Sequence, residues 1–182
     1  MRRYAVILLS ALVLLAVSCD KKQLENTYDT QETNIQKIIE SLTKANEDAT
    51  VSYNNGSSVV TIAHGEGDAL SENGAVSFYY AGYTVTGSTL SNGNVFATNY
   101  ETFANSIRWR VSDTTAFNIK TVNLAQDDLV EGLKNGLVGV KGGDECYVLF
   151  SGKHGFGKKK VGNIPANAAL AYHLWVISVS ND

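Results

Sequence analysis

The side chains able to act as nucleophile, base or metal ligand are scattered in this sequence. His64, His154 and His173 stand at no metal-ligand spacing with Cys146 or with a carboxylate cluster. Ser151 and Ser178 have no base and orienting partner in a hydrolase arrangement. Gly152-Lys153-His154-Gly155-Phe156-Gly157-Lys158-Lys159 nearly spells a phosphate loop, but it lacks the final Ser/Thr that would bind magnesium. Val161-Gly162-Asn163-Ile164-Pro165 does not open the helix whose N-terminus would face a phosphate. Cys146 alternates with Val148 and Phe150 and reads as a small buried hydrophobe. What stands out instead is aromatic. Period-two alternation over residues 76–80 puts Val76, Phe78 and Tyr80 on one face of a strand. A wall of that kind works by shape and polarity, with neither metal nor cofactor. For any single ring, core packing is the plainer role.

The elements that must position these rings read as α+β. Residues 19–30 are polar and read as a tether. Asp29-Thr30-Gln31-Glu32 has capping-box spacing, and Ile35, Ile38, Ile39, Leu42 and Ala45 follow at helical spacing, which predicts an amphipathic helix within 31–48. Asn55-Gly56 between two β-rich runs predicts a hairpin. Residues 65–74 read as loop, and 76–80, 84–86, 117–122, 144–151 and 169–179 as strands. One short helix is predicted over 128–135, ended by Gly136 or Gly139. Many strands around one embedded helix argue against alternating βαβ units. On the last strand Leu170, Tyr172, Leu174 and Val176 should face the core, and Trp175, Ile177 and Val179 the other side. The Ile35, Ile38, Ile39, Leu42 stripe is expected to cover that second face; the alternative is a dimer interface, and the oligomeric state stays open.

The start of the chain speaks to location. Arg2-Arg3, the apolar run Val6–Val17 and then Ala16-Val17-Ser18-Cys19 form a short export signal over 1–18. The run is shorter than the ~20 residues a spanning helix needs. The small residue before Cys19 is similar to a bacterial lipobox, with Leu15 one place earlier than usual and Ala16 in its position. That pattern implies a lipidated Cys19 as mature N-terminus and a lipid-anchored, envelope-facing protein. Acyl chains contribute ~0.8 kcal/mol per buried methylene to such an anchor.

Composition narrows the rest. The chain has 182 residues, 44% apolar and 18% charged, enough for a sizeable core. Fifteen basic against 18 acidic residues leave no footprint for nucleic acid. With Cys19 lipidated, Cys146 stands alone and no internal disulfide forms.

Several segments then fall in one recognisable order. They are Val76-Ser77-Phe78-Tyr79-Tyr80-Ala81-Gly82, Asn94-Val95-Phe96, Leu129-Val130-Glu131-Gly132-Leu133, Gly136-Leu137-Val138-Gly139-Val140-Lys141-Gly142-Gly143, Gly155-Phe156-Gly157 and Ile164-Pro165-Ala166-Asn167-Ala168-Ala169-Leu170-Ala171-Tyr172. Together, over about 55–179, the chain resembles FKBP-type peptidyl-prolyl cis-trans isomerases. The resemblance implies, within 50–182, a bent antiparallel sheet wrapped around a short helix with an apolar pocket between them. It implies catalytic roles for Tyr80, Phe96, Val130, Phe156, Ile164 and Tyr172, with the Val130 N–H binding the substrate carbonyl. Phe117, Leu129 and Leu133 would line the substrate. The implied partners are proline-containing polypeptides, and no cofactor is called for.

Three positions depart from the family pattern. Ala97 replaces a usual aspartate, Leu133 a usual tryptophan and Phe156 a frequent tyrosine. The segment 98–114, with Tyr100, Phe103 and Trp109, is a longer connection than usual, expected to roof the pocket or to offer a second contact surface. The departures imply weakened or shifted turnover, and they sustain a rival reading as a peptide-binding or chaperone module.

Overall fold

Asn55 and Gly56 turn the chain at φ of 43° and 86°, the geometry an Asn-Gly pair adopts most readily. They join β1 (Thr50–Asn54) to β2 (Ser57–Ala63), as the sequence predicts. This is seen in a computed structural model of the chain, which describes residues 2–109 and 117–181, with side chains from residue 21 onward. The other strands are β3 (Ala75–Val85), β4 (Val95–Thr98), β5 (Lys120–Asn123), β6 (Glu145–Phe150) and β7 (Ala169–Ser180). They form one antiparallel seven-stranded sheet in the order β1-β2-β6-β7-β3-β4, with β5 also paired to β3. The helices are α1 (Arg2–Ala45), α2 (Glu101–Ser106) and α3 (Glu131–Leu137). The fold is thus α+β, with α3 on one face of the sheet and α1 on the other.

Several expectations are corrected. Residues 84–86 are no separate strand, because β3 runs unbroken through Ala81-Gly82; the register shift at Gly82/Tyr83 is taken up by β4, where Phe96 is the extra residue. The short helix begins at Glu131 rather than 128, with Gly136 inside it and Gly139 beyond its end at φ 94°. The polar 19–30 segment is helical and belongs to α1, so Asp29 is an interior residue and caps nothing. The segment holds neither glycine nor proline, and Thr27, Thr30 and Thr33 bond back to the carbonyls of Gln23, Asn26 and Asp29. Leu24, Tyr28 and Gln31, half-buried at helical spacing, extend the Ile35 stripe backward. Cys19 lies on this helix, and its side chain is outside the described ones.

The stripe does cover the second face of the sheet. Ile35, Ile38 and Ile39 are buried against Val60, Leu149, Ala169 and Ala171, worth roughly 1.5–3 kcal/mol each. The face assignment on β7 fails at one point. β3 pairs Ser77 with Ser178 but Phe78 with Val176, so Ile177 is an extra residue in a bulge. The bulge reverses the alternation, which turns Val179 toward the core cluster and leaves Ile177 exposed. Trp175 is covered by Tyr100 and Phe103, at centroid distances of 4.5 and 5.9 Å, at the edge of the cluster that α1 joins. Phe103, Ile107 and Trp109 all pack on this outer face. The described part of the 98–114 connection therefore roofs the sheet's back and not the pocket; residues 110–114 lie outside the described residues.

On that same face His173 sits between Tyr147 and Trp175, with ring centroids 4.0 and 3.8 Å away. Its Nε2–H donates to Glu145 Oε1 at 2.8 Å. Burial holds the imidazole pKa below its ordinary value, and the Glu145 bond only partly offsets this. The same bond lowers the Glu145 carboxyl. The unfolded chain therefore takes up the His173 proton first as pH falls from about 6.5. Stability should be full above that pH and decline below it toward the lower folded value, with the Glu145 contribution lost only below about pH 4.5. Thermal melts from pH 7 to 5 should show this slope, and His173→Gln should flatten it.

Candidate active site

The inner face of β3 supplies the first wall. Phe78 and Tyr80 stand two residues apart with ring centroids 6.2 Å apart. Their backbone is held by a residue the sequence reading missed. Asn99, buried just past β4, accepts from the Tyr80 N–H at 2.6 Å and donates to the carbonyls of Phe78 and Asn118 at 3.3 and 2.9 Å. Thr98 Oγ1 donates to the Tyr80 carbonyl at 2.7 Å. An asparagine in a connection carries no sequence signal for such a clamp; only its burial gives it away.

Phe96 of β4 forms the second wall. The tip of its ring lies against Gly82, where a Cβ would run into it. Tyr172 of β7 is the hub, with centroids 6.1 Å from Tyr80, 5.8 Å from Phe96 and 6.1 Å from Phe150. Leu129, Val130 and Leu133 close the hollow from the start of α3, and Phe156 from the loop between β6 and β7. The hollow, open on one side, has a volume of about 230 Å³, and Lys120 and Asp128 stand at its exposed rim. Phe78 was legible as a wall residue from its alternation with Tyr80; Lys120 and Asp128 gave no signal.

Most of the expected residues converge here, and two do not. Ile164 is not among the lining residues. It folds back on Val161, with N–H···O bonds of 2.9 and 3.1 Å, and sinks into the core beside the hollow. Phe117, half-buried ahead of β5, is likewise outside the lining. His154 does not reach the hollow either. Its Nδ1 pairs with Glu131 Oε1 at 3.0 Å, and its ring seats on Gly56. Cys146 is fully buried, and burial pushes its thiol pKa up, away from the reactive thiolate.

The hollow is apolar but offers donors. The hydroxyls of Tyr80 and Tyr172 have no hydrogen-bond partner among the described residues and are not sealed from solvent, while partial burial of the rings raises both pKa values. They stay neutral donors at physiological pH. The Val130 N–H, ahead of the first turn of α3, also has no intramolecular acceptor among the described residues; the Val130 carbonyl takes the Lys134 N–H at 3.0 Å.

Comparison with known proteins places this arrangement. The family model for FKBP-type peptidyl-prolyl cis-trans isomerase matches residues 68–177, more than half of the chain. No curated protein sequence matches. Among solved structures, FkpA from Escherichia coli is similar at 19% identity and a TM-score of 0.57, over 94% of this chain and 70% of that one. The N-terminal domain of FKBP42 from Arabidopsis thaliana is 19% identical with a TM-score of 0.54, over 74% of this chain and 94% of that one. A peptidyl-prolyl cis-trans isomerase from Pseudomonas syringae pv. tomato is 15% identical with a TM-score of 0.54, over 85% of this chain and 96% of that one. At these identities the structures speak to the fold, and the family match carries the assignment: the chain belongs to the FKBP-type peptidyl-prolyl cis-trans isomerases.

Proposed function

We propose that this chain catalyses cis-trans isomerisation of X-Pro bonds in exported proteins at the hollow between β3, β4, β7 and α3. The observation that carries the reading is an apolar, ring-lined cavity with unpartnered neutral donors. Rotation about an amide crosses a barrier of ~18–20 kcal/mol because resonance is lost. The twisted amide is less zwitterionic than the planar one. An apolar enclosure therefore stabilises it relative to the ground state, which is differential binding of the transition state. The proline ring fills the space between Phe96, Tyr172 and Phe156, and the Val130 N–H and the tyrosine hydroxyls hold the flanking carbonyls. Nothing in this scheme titrates between pH 6 and 9.

The export signal and the Cys19 motif support a lipid-anchored protein of the bacterial cell envelope, with clients passing close to the membrane. A chain with Cys19→Ser should leave the membrane fraction; retention there would refute the anchor. Ala97, Leu133 and Phe156 favour the second reading, a peptide-binding or chaperone module with little turnover. The deciding experiment is a proline-isomerisation assay on the whole chain in mild detergent, beside Tyr80→Ala. Turnover that is flat with pH and lost in Tyr80→Ala supports the enzyme. Peptide binding at the uncatalysed rate supports the module.

A further inference from the structure

The loop 151–168, which carries Phe156, leaves β6 at Phe150 and enters β7 at Ala169. Its two ends touch, because a Cβ on Gly152 would run into the Asn167 backbone. The β6–β7 ladder nevertheless stops at the Phe150–Leu170 pair. Asn167 takes φ 56°, and its N–H turns to the Gly157 carbonyl at 2.6 Å. The Gly152 N–H and the Asn167 carbonyl are left to find another partner, and one side chain serves both. Gln31 of α1 accepts from the Gly152 N–H at 2.8 Å and donates from Nε2 to the Asn167 carbonyl at 2.7 Å. Tyr28, one turn earlier, donates from its hydroxyl to Asn167 Oδ1 at 3.2 Å. A glutamine amide offers the same carbonyl and N–H pair as a peptide unit. It acts as an added rung, reaching from a helix on the far face of the sheet.

We propose that Gln31 is a positioning residue for the isomerase site: its amide closes the base of the 151–168 loop and so holds Phe156 over the hollow. The proposal rests on reading that hollow as the place of turnover. The loop is tied at its other side as well, where His154 meets Glu131 beside Val130. α1, the roof loop and the first turn of α3 thus form one connected set. Without the Gln31 amide, two half-buried polar groups lose their partner and the base of the loop opens more often. Phe156 is then in place for a smaller share of the time, and apparent affinity falls by that share. The chemistry in the closed state is unchanged. The mark of positioning is therefore a raised KM with kcat preserved, whereas simple loss of folded protein lowers kcat and leaves KM alone.

The test uses the whole chain in mild detergent with Gln31→Ala and Gln31→Met, the second keeping bulk while removing both hydrogen bonds. Isomerisation of a Phe-Pro peptide is followed by exchange NMR, and amide hydrogen exchange is followed over residues 152–168. Both variants should raise KM about fivefold with kcat nearly constant, and both should speed exchange in the loop. Wild-type KM and unchanged loop exchange in Gln31→Met would overturn the proposal, since packing alone would then explain the residue. If the wild type turns over no peptide, the isomerase reading fails by itself. Faster loop exchange in the two variants would then still establish the rung, and unchanged exchange would sink it.

Discussion

Phe96→Ala is expected to lower kcat/KM for a Phe-Pro peptide by about a hundredfold while lowering Tm by only a few degrees. Phe96 is half-buried, so its removal opens the hollow to water rather than leaving a sealed cavity. The stability cost then stays well below the ~3–5 kcal/mol of a fully buried phenylalanine. The catalytic cost is larger. The variant loses the edge contact with Tyr172, at 5.8 Å between centroids, and admits solvent where a twisted amide needs an apolar wall. Gly82→Ala supplies the control. Its new Cβ drives the Phe96 ring toward the hollow, so activity should fall with the ring still present. Activity within threefold of wild type in Phe96→Ala would mean that the ring merely covers the core.

Gly132→Ala is the second large effect, and its sign is not obvious. Alanine in a helix is favoured over glycine by about 1 kcal/mol. At Gly132, however, the added Cβ runs into the Phe150 ring. Phe150 cannot yield, because it is fully buried and stacked on Tyr172 at an interplanar angle of 16°. The Ser57 hydroxyl, on the strand position paired with Phe150, donates to the Gly132 carbonyl at 2.6 Å and pins the helix to the same patch of sheet. Overpacking costs about 1–3 kcal/mol, and with Phe150 unable to move the upper half of that range applies, against a helical gain of about 1 kcal/mol. Net destabilisation of roughly 1–2 kcal/mol, near 5 °C of Tm, is expected from thermal melts. Gly136 stands one turn on and would meet Val148 in the same way. The two glycines are what let α3 lie directly on β6; a stabilised Gly132→Ala protein would contradict this.

Local signals in the sequence carry far in this protein. Asn55-Gly56 specifies its hairpin by backbone preference, and the alternation through Phe78 and Tyr80 specifies the pocket face by the two-residue period of a strand. The Ile35 stripe announces a buried helix face. What stayed hidden depends on tertiary partners. The bulge at Ile177 has no residue signature, yet it reverses Val179. The extension of α1 through residues 20–30 hides behind a sparse stripe in which a tyrosine and a glutamine replace aliphatic residues. Gln31 looks like a solvated helix position, and its role exists only because Gly152 and Asn167 meet beneath it. Phe117 and Ile164 match the family order in type but are not among the residues that line the hollow; the turn onto Val161 sinks Ile164 into the core beside it. Family order names the candidate residues as a set, and the structure shows which of them share one hollow.

The most direct measurement is cis-trans exchange NMR on a Phe-Pro peptide with substoichiometric whole chain, reading peptide shifts and the interconversion rate in the same spectra. The account expects interconversion faster than in peptide alone, unchanged from pH 6.5 to 8.5 and abolished when Phe96 and Tyr172 are both replaced by alanine. Shifts that report a bound peptide, combined with the uncatalysed rate, would contradict it and leave a binding protein on an isomerase scaffold.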